Sequence, residues 1–295
     1  MTAFADRLIE GVRSKGTPLC IGLDPFPDKI PAVFGPTGSV LALQAFSENL
    51  IAIAAQHAAV LKPQLGFFEA YGPDGFAVAV DAVARAKLAG MAVILDAKRG
   101  DIGSTAEGYT RACLGPAPGF DADCVTINPY LGKDSLEPFI AEAQAREKGV
   151  AVLVRTSNPG ARDLQDLNVD GAPLWHRVAE MIEPAAPRLV GASGWSGLMA
   201  VAGATYPQEA RALRALMPRS LLLVPGYGAQ GASAADAAAG FVTGKYGREG
   251  GVISSSRAVA YPPAAQAAKT LENWRAAISD AMSTAAAELR AACIS

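Results

Sequence analysis

Residues Met91 to Lys98 read MAVILDAK, a short apolar segment that ends close to two charged side chains. Its apolar residues do not alternate with polar ones, so both faces of a β-strand would be buried, as in a parallel strand covered by helices. Seven other segments share this pattern. In chain order the eight begin at Pro18 (PLCIGLD), Val60 (VLKPQLG), Met91 (MAVILDAK), Cys124 (CVTINPY), Gly149 (GVAVLVRTS), Gly197 (GLMAVAGAT), Ser220 (SLLLVPG) and Gly251 (GVISSS).

Helical patterns lie between these segments. Residues 73–89 space Phe76, Val80 and Val83 on one face before Gly90, a glycine position typical of a helix C-terminus. Residues 205–208 form a capping box that predicts a helix extending to Met217. Residues 271–289 carry apolar side chains at helical intervals, which predicts a final amphipathic helix.

The number and size of these units indicate the fold. Eight strand–helix units in 295 residues average about 37 residues each, the size expected in a (β/α)8 barrel. A doubly wound sheet would need a glycine fingerprint after its first strand, and GLDPFP lacks one. We therefore predict an α/β fold, a single (β/α)8 TIM barrel domain over residues 1–295, with an N-terminal helix and a C-terminal amphipathic helix.

Composition argues against several classes of function. The formal net charge is −2, which argues against a nucleic-acid partner because such binding needs a basic patch. The histidines and cysteines are scattered without the spacing of a metal site or a disulfide framework: His57, His176, Cys20, Cys113, Cys124 and Cys293. Charged residues stand where a signal peptide needs an apolar run, and glycines interrupt the long uncharged stretch 189–208. We expect a cytoplasmic protein with no metal and no membrane partner.

Charged residues gather where the predicted strands end, which is the face that carries the active site in such barrels. Asp96 and Lys98 are two residues apart, so their side chains point the same way on a strand. A salt bridge that only closes the barrel is one explanation of this pair. Lys62 on the neighbouring strand and Asp101 just beyond would extend it into an alternating cluster, which favours a functional site because such a cluster keeps a lysine charged beside a bound substrate.

The last two units carry the residues of a phosphate site. The segment PGYGAQG, from Pro225 to Gly231, follows the seventh predicted strand, and Arg257 follows the eighth. Glycines also serve ordinary turns. Together with an arginine in the next unit, however, they match the phosphate site that these two loops form in TIM barrels.

These segments resemble the orotidine 5'-phosphate decarboxylase family. LDAKRGDIGSTAEGY, from Leu95 to Tyr109, resembles the family's Asp-x-Lys-x-x-Asp-Ile signature with its following threonine. Other segments follow in the family's order: GLDP around Asp24, LKPQLGFFE around Lys62, RTSNPGA around Ser157, PGYGAQG around Gln230 and SSSR ending at Arg257. NPYLG at Asn128 and VAGATYP at Val201 are similar to the longer, bacterial-type branch of the family.

The resemblance implies a reaction and roles for the charged residues. The reaction is the conversion of orotidine 5'-monophosphate (OMP) to UMP and CO2 in de novo pyrimidine biosynthesis, without a metal or organic cofactor. Lys98 would protonate C6 of the pyrimidine as CO2 leaves, and Asp96 would lie against the substrate carboxylate. Lys62 and Asp101 would keep Lys98 charged and oriented.

The resemblance also implies substrate-binding residues and a partner. Asp24 and Thr105 would hold the ribose hydroxyls, Ser157 the pyrimidine amide edge, and Gln230 with Arg257 the phosphate. Ile102 and Pro225, in the same segments, would complete the binding site.

Asp101 follows Arg99-Gly100, which breaks the strand, and precedes a predicted capping box at residues 104–107, so it leads away from its own barrel mouth. The family resemblance implies a homodimer in which the partner receives this aspartate.

Two alternatives remain. A Mg²⁺-dependent sugar-phosphate decarboxylase or aldolase of the same superfamily shares the Asp-x-Lys-x-x-Asp signature but needs a carboxylate on the second strand. Here Lys62 takes that place, and its ammonium would repel a divalent cation. A catalytically inactive barrel that only binds a nucleotide would give no reason for four charges in one mouth.

Overall fold

The computed structural model describes residues 2–228 and 231–294. Eight parallel strands close into a barrel in which each strand pairs with the next along the chain and the eighth pairs with the first, so the predicted (β/α)8 TIM barrel is confirmed. The strands are β1 (Leu19–Leu23), β2 (Val60–Pro63), β3 (Ala92–Arg99), β4 (Cys124–Ile127), β5 (Gly149–Arg155), β6 (Ser196–Ala202), β7 (Ser220–Val224) and β8 (Gly251–Ser255). Two antiparallel hairpins lie outside the barrel, Asn168–Val169 with Ala172–Pro173 and Val242–Gly244 with Gly247–Glu249.

Helices surround the barrel. The longer ones are α1 (Phe4–Lys15), α2 (Val40–His57), α3 (Gly72–Leu88), α4 (Gly103–Leu114), α5 (Lys133–Ala145), α6 (Leu174–Ile182), α7 (Pro207–Leu216) and α8 (Leu271–Ile294). Short helices span Leu65–Glu69, Arg162–Gln165, Ala234–Ala237, Arg257–Ala260 and Pro263–Gln266, and 3-10 turns span Ala32–Phe34, Pro129–Leu131, Pro159–Ala161 and Glu183–Leu189. Among these described helices, none is both long and apolar enough to cross a membrane.

Helix α8 forms as its apolar periodicity predicts. Trp274, Ile278, Met282 and Leu289 are fully buried and lie four or seven residues apart, so one stripe of the helix packs on the barrel layer. The Trp274 ring packs in tilted, edge-type contacts with Phe34 and with a second phenylalanine on α2, which places the last helix, α2 and the segment before α2 in one core.

Helix α1 closes the N-terminal end of the barrel. Phe4, Leu8 and Ile9 are buried in the same cluster as the inward side chains of the strands. A Cβ atom at Gly149 would lie 2.4 Å from the Phe4 ring, so a glycine is needed where the ring enters. The Asp6 carboxylate accepts backbone N–H bonds from residues 192 and 193, at 2.9 and 2.8 Å, which fixes the helix to the loop before β6. This end is sealed, and the opposite end remains for a ligand.

Local details differ from three expectations. Phe76 is 38% exposed and packs against Phe120, because the core side of α3 carries small residues that approach the neighbouring helix closely. Helix α7 begins after Tyr206, and no side-chain cap from Thr205 occurs in the described residues. Helix α4 begins after Ile102, whose side chain has no acceptor, and Ser104 lies inside its first turn, so the predicted capping boxes are wrong.

Candidate active site

The end of β3 is irregular, and the irregularity orients a lysine. The register between β3 and β4 shifts between Leu95 and Arg99. Lys98 adopts φ +46°, a left-handed conformation uncommon for a residue with a Cβ atom. Its backbone N–H donates to Thr126 Oγ1 at 2.9 Å, and its side chain turns back so that Nζ lies 2.6 Å from Asp96 Oδ1.

The Asp96 carboxylate is the centre of the site. It is only 6% exposed, and four side chains donate to its two oxygens. Lys62 Nζ and Gln64 Nε2 reach Oδ2 at 2.6 and 3.1 Å, while Lys98 Nζ and Thr126 Oγ1 reach Oδ1 at 2.6 and 2.9 Å. Four donors satisfy the acceptor capacity of an ionised carboxylate, so the group is fixed in place.

Burial and charge act in opposite directions on the pKa values of this cluster. Burial would raise the pKa of Asp96, but the ammonium groups of Lys62 and Lys98 outweigh it and hold that pKa well below its usual value. Burial would lower the pKa of Lys62, but Asp96 and Asp24 raise it above its usual value. The buried pair therefore stays ionised at neutral pH.

A cavity of about 460 Å³ opens above this cluster, a volume typical of small-molecule sites. Five of the predicted site residues lie on its wall: Lys62, Asp96, Lys98, Ser157 and Pro225. The apolar side chains of Leu153, Val201 and Leu223 complete its floor. A ligand here would contact charged groups at one end and apolar surface beside them.

Asp24 lies at the end of β1, and its charge acts on Lys62. Its Oδ1 atom is buried and has no hydrogen-bond partner within the described residues. The Tyr261 hydroxyl donates to the Asp24 carbonyl at 2.7 Å and accepts from the Phe26 N–H at 3.0 Å, which pins the loop after β1. A buried carboxylate oxygen without a donor is costly, so it is well suited to accept from a ligand hydroxyl.

The residues predicted after β3 lie outside this cavity wall. Asp101 Oδ1 accepts from the backbone N–H of Ile102 at 2.8 Å. Within residues 2–228 and 231–294, the Asp101 carboxylate forms no ion pair with Lys98. Ile102 is 58% exposed, and Thr105 is exposed as well. Asp101, Ile102 and Thr105 are not among the residues that line the cavity.

The predicted phosphate residues are described only in part. Gly226 and Gly228 have φ of +102° and +74°, conformations that require glycine, so the loop after β7 forms a glycine-dependent turn. Arg257 opens the short helix that follows β8, and its side chain is exposed. Gln230 lies outside the described residues.

Several side chains of the site were not anticipated from the sequence. Gln64 follows Lys62 by two residues, a spacing that places both on one side of an extended segment, so this signal was available. Thr126 gave no signal, because it lies within an apolar strand. Thr156 and Gln165 line the cavity through mutual hydrogen bonds of 2.9 and 2.8 Å, which depend on a turn after β5.

The segment after β5 forms one side of the cavity and is held by Arg155. This guanidinium is buried, forms an ion pair with Asp166 at 2.9 Å and hydrogen-bonds to Glu209. It also lies 4.1 Å from the centre of the Tyr206 ring. The short helix Arg162–Gln165 is thereby fixed beside the cavity.

Comparison with known proteins assigns the family. Residues 17–271 match the model described as the orotidine 5'-phosphate decarboxylase / HUMPS family. The chain belongs to this family. A family member from Rhodopirellula baltica, named orotidine 5'-phosphate decarboxylase, is 40% identical over 272 residues, which cover 88% of this chain and 89% of the relative.

Other members of the orotidine 5'-phosphate decarboxylase / HUMPS family agree in length and structure. The orotidine 5'-phosphate decarboxylase of a Janthinobacterium species is 40% identical over 274 residues, covering 90% of this chain and 94% of that protein. The solved structure of Leishmania donovani OMP decarboxylase superposes with a TM-score of 0.78 at 33% identity, covering 99% of this chain and 100% of the other. Family members thus share the whole barrel.

Proposed function

We propose that this chain decarboxylates OMP to UMP and CO2 in de novo pyrimidine biosynthesis. The observation that carries the proposal is the buried Asp96 carboxylate held between two ammonium groups at 2.6 Å in the barrel mouth. Decarboxylation at C6 leaves an electron pair that the pyrimidine ring delocalises poorly. Charges fixed before the reaction can stabilise it without reorganisation.

Lys98 is the proposed proton donor. Its side chain is 47% exposed, whereas the side chain of Lys62, which borders the same cavity, is only 8% exposed. When the bond between C6 and the carboxylate carbon breaks, CO2 departs and the electron pair stays on C6. A proton from Lys98 Nζ then forms the C6–H bond of UMP, and the neutral amine regains a proton from solvent.

Asp96 is the proposed source of electrostatic stress on the substrate. Two carboxylates about 4 Å apart repel each other by roughly 4 kcal/mol at an effective dielectric constant near 20. Neutral CO2 removes this repulsion as it leaves. Lys62 keeps Asp96 ionised during the reaction, which agrees with the raised pKa of Lys62 and the lowered pKa of Asp96.

The remaining predicted residues are the proposed substrate contacts. Asp24 and Thr105 hold the ribose hydroxyls, which the unpartnered buried Oδ1 of Asp24 supports. Ser157 contacts the pyrimidine amide edge beside Pro225, and both line the cavity. Gln230 and Arg257 bind the phosphate, with the glycine-dependent turn after β7 offering backbone N–H groups. Ile102 is a further proposed contact of the substrate.

The proposed assembly is a cytoplasmic homodimer of single-domain chains in which each site receives Asp101 from its partner. Asp101 Oδ1 accepts from the backbone N–H of Ile102, Asp101 is not among the residues that line the cavity, and Ile102 is exposed. These observations support a role across an interface. A twofold axis would make the exchange reciprocal.

The experiment compares substrate turnover with and without EDTA. The purified chain is incubated with OMP, and the loss of pyrimidine absorbance is followed. We expect turnover that EDTA does not change, because Lys62 stands where the Mg²⁺-dependent alternative needs a carboxylate. Turnover abolished by EDTA would favour that alternative, and binding of UMP without turnover would favour an inactive nucleotide-binding barrel.

A further inference from the structure

Thr126 joins the two groups that the proposed reaction needs most. It lies in β4 with its side chain on the cavity wall, and it is 1% exposed. Its Oγ1 accepts the backbone N–H of Lys98 and donates to Asp96 Oδ1, both at 2.9 Å. One hydroxyl therefore connects the backbone of the proposed proton donor to the carboxylate beside it.

The Thr126 hydroxyl takes the place of a backbone carbonyl as the acceptor of the Lys98 N–H. The register shift interrupts the regular pairing of β3 with β4 between Leu95 and Arg99, and Lys98 lies in that segment. An N–H that is shielded from water and lacks an acceptor is costly, and the bond of the Lys98 N–H to Thr126 Oγ1 is partly buried. Thr126 Oγ1 supplies the acceptor and thereby stabilises the left-handed backbone that turns the Lys98 side chain toward Asp96.

The direction of both bonds is fixed. The Lys98 N–H can only donate, so Thr126 Oγ1 accepts there, and the single hydroxyl proton goes to the ionised Asp96. Threonine is β-branched and restricted in its side-chain rotation, which makes it a rigid link between the two strands. If this link is lost, Lys62 and Gln64 still hold the Asp96 carboxylate in place. The alignment of that carboxylate with Lys98 would change.

We infer that Thr126 is a positioning residue that sets the geometry of Lys98 relative to Asp96 during decarboxylation. This inference rests on the proposed function. Thr126 acts through its two neighbours, so its loss changes the chemical step more than substrate binding.

The test uses three variants and steady-state kinetics with OMP. Thr126→Val keeps the shape and removes both bonds, and we expect kcat to fall about 10- to 100-fold, equivalent to about 1.4–2.7 kcal/mol, with KM nearly unchanged. Thr126→Ser keeps the hydroxyl and restores most of kcat. Thr110→Val is the matched control, because the hydroxyl of this buried threonine donates to the Ala106 carbonyl of its own helix, away from the charged cluster, and we expect wild-type kcat.

Hydrogen exchange at the Lys98 amide of the unaltered protein tests the same link if Thr126→Val does not fold. We expect slow exchange, as for amides within β4, and exchange as fast as in an unstructured segment would overturn the inference. A wild-type kcat for Thr126→Val, or a Thr126→Ser variant as slow as Thr126→Val, would also overturn it. Absence of turnover in the wild-type chain would instead reject the proposed function.

Discussion

Lys62 and Lys98 contact the two oxygens of one carboxylate at the same distance of 2.6 Å, yet they differ in burial. The Lys62 side chain is 8% exposed and the Lys98 side chain 47%. We therefore expect Lys62→Met and Lys98→Met to differ in stability although both stop decarboxylation. Methionine keeps the approximate length of the side chain and removes its charge.

The magnitudes follow from burial. Removing one partner of a buried ion pair costs about 3–5 kcal/mol of unfolding free energy, because the other charge is left uncompensated. In Lys62→Met the ammonium of Lys98 still contacts Asp96, so we expect a loss of unfolding free energy at the lower end of this range, about 3 kcal/mol. In Lys98→Met the lost contact is half-exposed and screened by water, and Lys62 still compensates the charge of Asp96. We therefore expect a loss of unfolding free energy of about 1 kcal/mol or less.

Urea and thermal unfolding at pH 7 measure the difference. An unfolding entropy of about 2.1 cal/mol/K per residue gives about 0.6 kcal/mol/K for 295 residues, so a stability difference of about 2 kcal/mol should separate the Tm values of the two variants by roughly 3 °C. Lys269→Met, at an exposed lysine, is the control and should change stability by no more than about 0.5 kcal/mol. Equal losses for Lys62→Met and Lys98→Met, or a larger loss for Lys98→Met, would refute the reasoning from burial.

Three further predictions concern the partner, the phosphate and pH. Mixing inactive Lys98→Ala and Asp101→Ala chains should restore about a quarter of wild-type activity, since about half of the dimers are mixed and one of their two sites is intact; no activity after verified subunit exchange would rule out a shared site. Arg257→Ala should raise KM for OMP about 10- to 100-fold, the loss of one charge-assisted bond of ~1.5–3 kcal/mol, and leave turnover of the nucleoside orotidine nearly unchanged; equal effects on both substrates would place Arg257 away from the phosphate. Because the folded pKa of Asp96 lies below its usual 3.8, its ionisation contributes stability above about pH 4 that is lost as pH falls further, so the stability advantage of the wild type over Asp96→Asn should shrink between pH 5 and pH 2; a constant difference in urea midpoint would contradict this.

The barrel was predictable because its strands are buried on both faces. Each of the eight apolar segments is short and ends at a turn, and parallel strands covered by helices produce that pattern. Asp96 and Lys98 were found for the same reason, since charged residues in an apolar segment are costly unless they are paired. The spacing of two residues then gave their common direction.

Other features depend on contacts that local sequence does not contain. Thr126 resembles any threonine of a buried strand, and its role arises from a register shift in the neighbouring strand. The wall after β5 depends on Arg155 and Glu209, which are 54 residues apart. The capping boxes at residues 104–107 and 205–208 match the pattern, but the chain enters each helix at a different residue.

Asp101 shows a different limit of prediction from the sequence of a single chain. Its position after a broken strand predicts that it leaves its own barrel mouth; in the described chain its carboxylate accepts from the adjacent backbone N–H, and it is not among the residues that line the cavity. Its proposed contact with Lys98 of a partner subunit involves a second chain. A single sequence can indicate that a residue is displaced from its own site, but the receiving surface is a property of the assembly.

The most direct test of the central claim is the decarboxylation rate of Lys98→Ala, measured on protein that calorimetric titration shows to bind UMP. We predict that UMP affinity remains close to that of the wild type while turnover of OMP is lost, because Lys98 acts on the charge that develops at C6. Turnover near the wild-type rate would contradict the assignment of Lys98 as proton donor. If Lys98→Ala loses both UMP binding and turnover, Lys98 instead maintains the structure of the site.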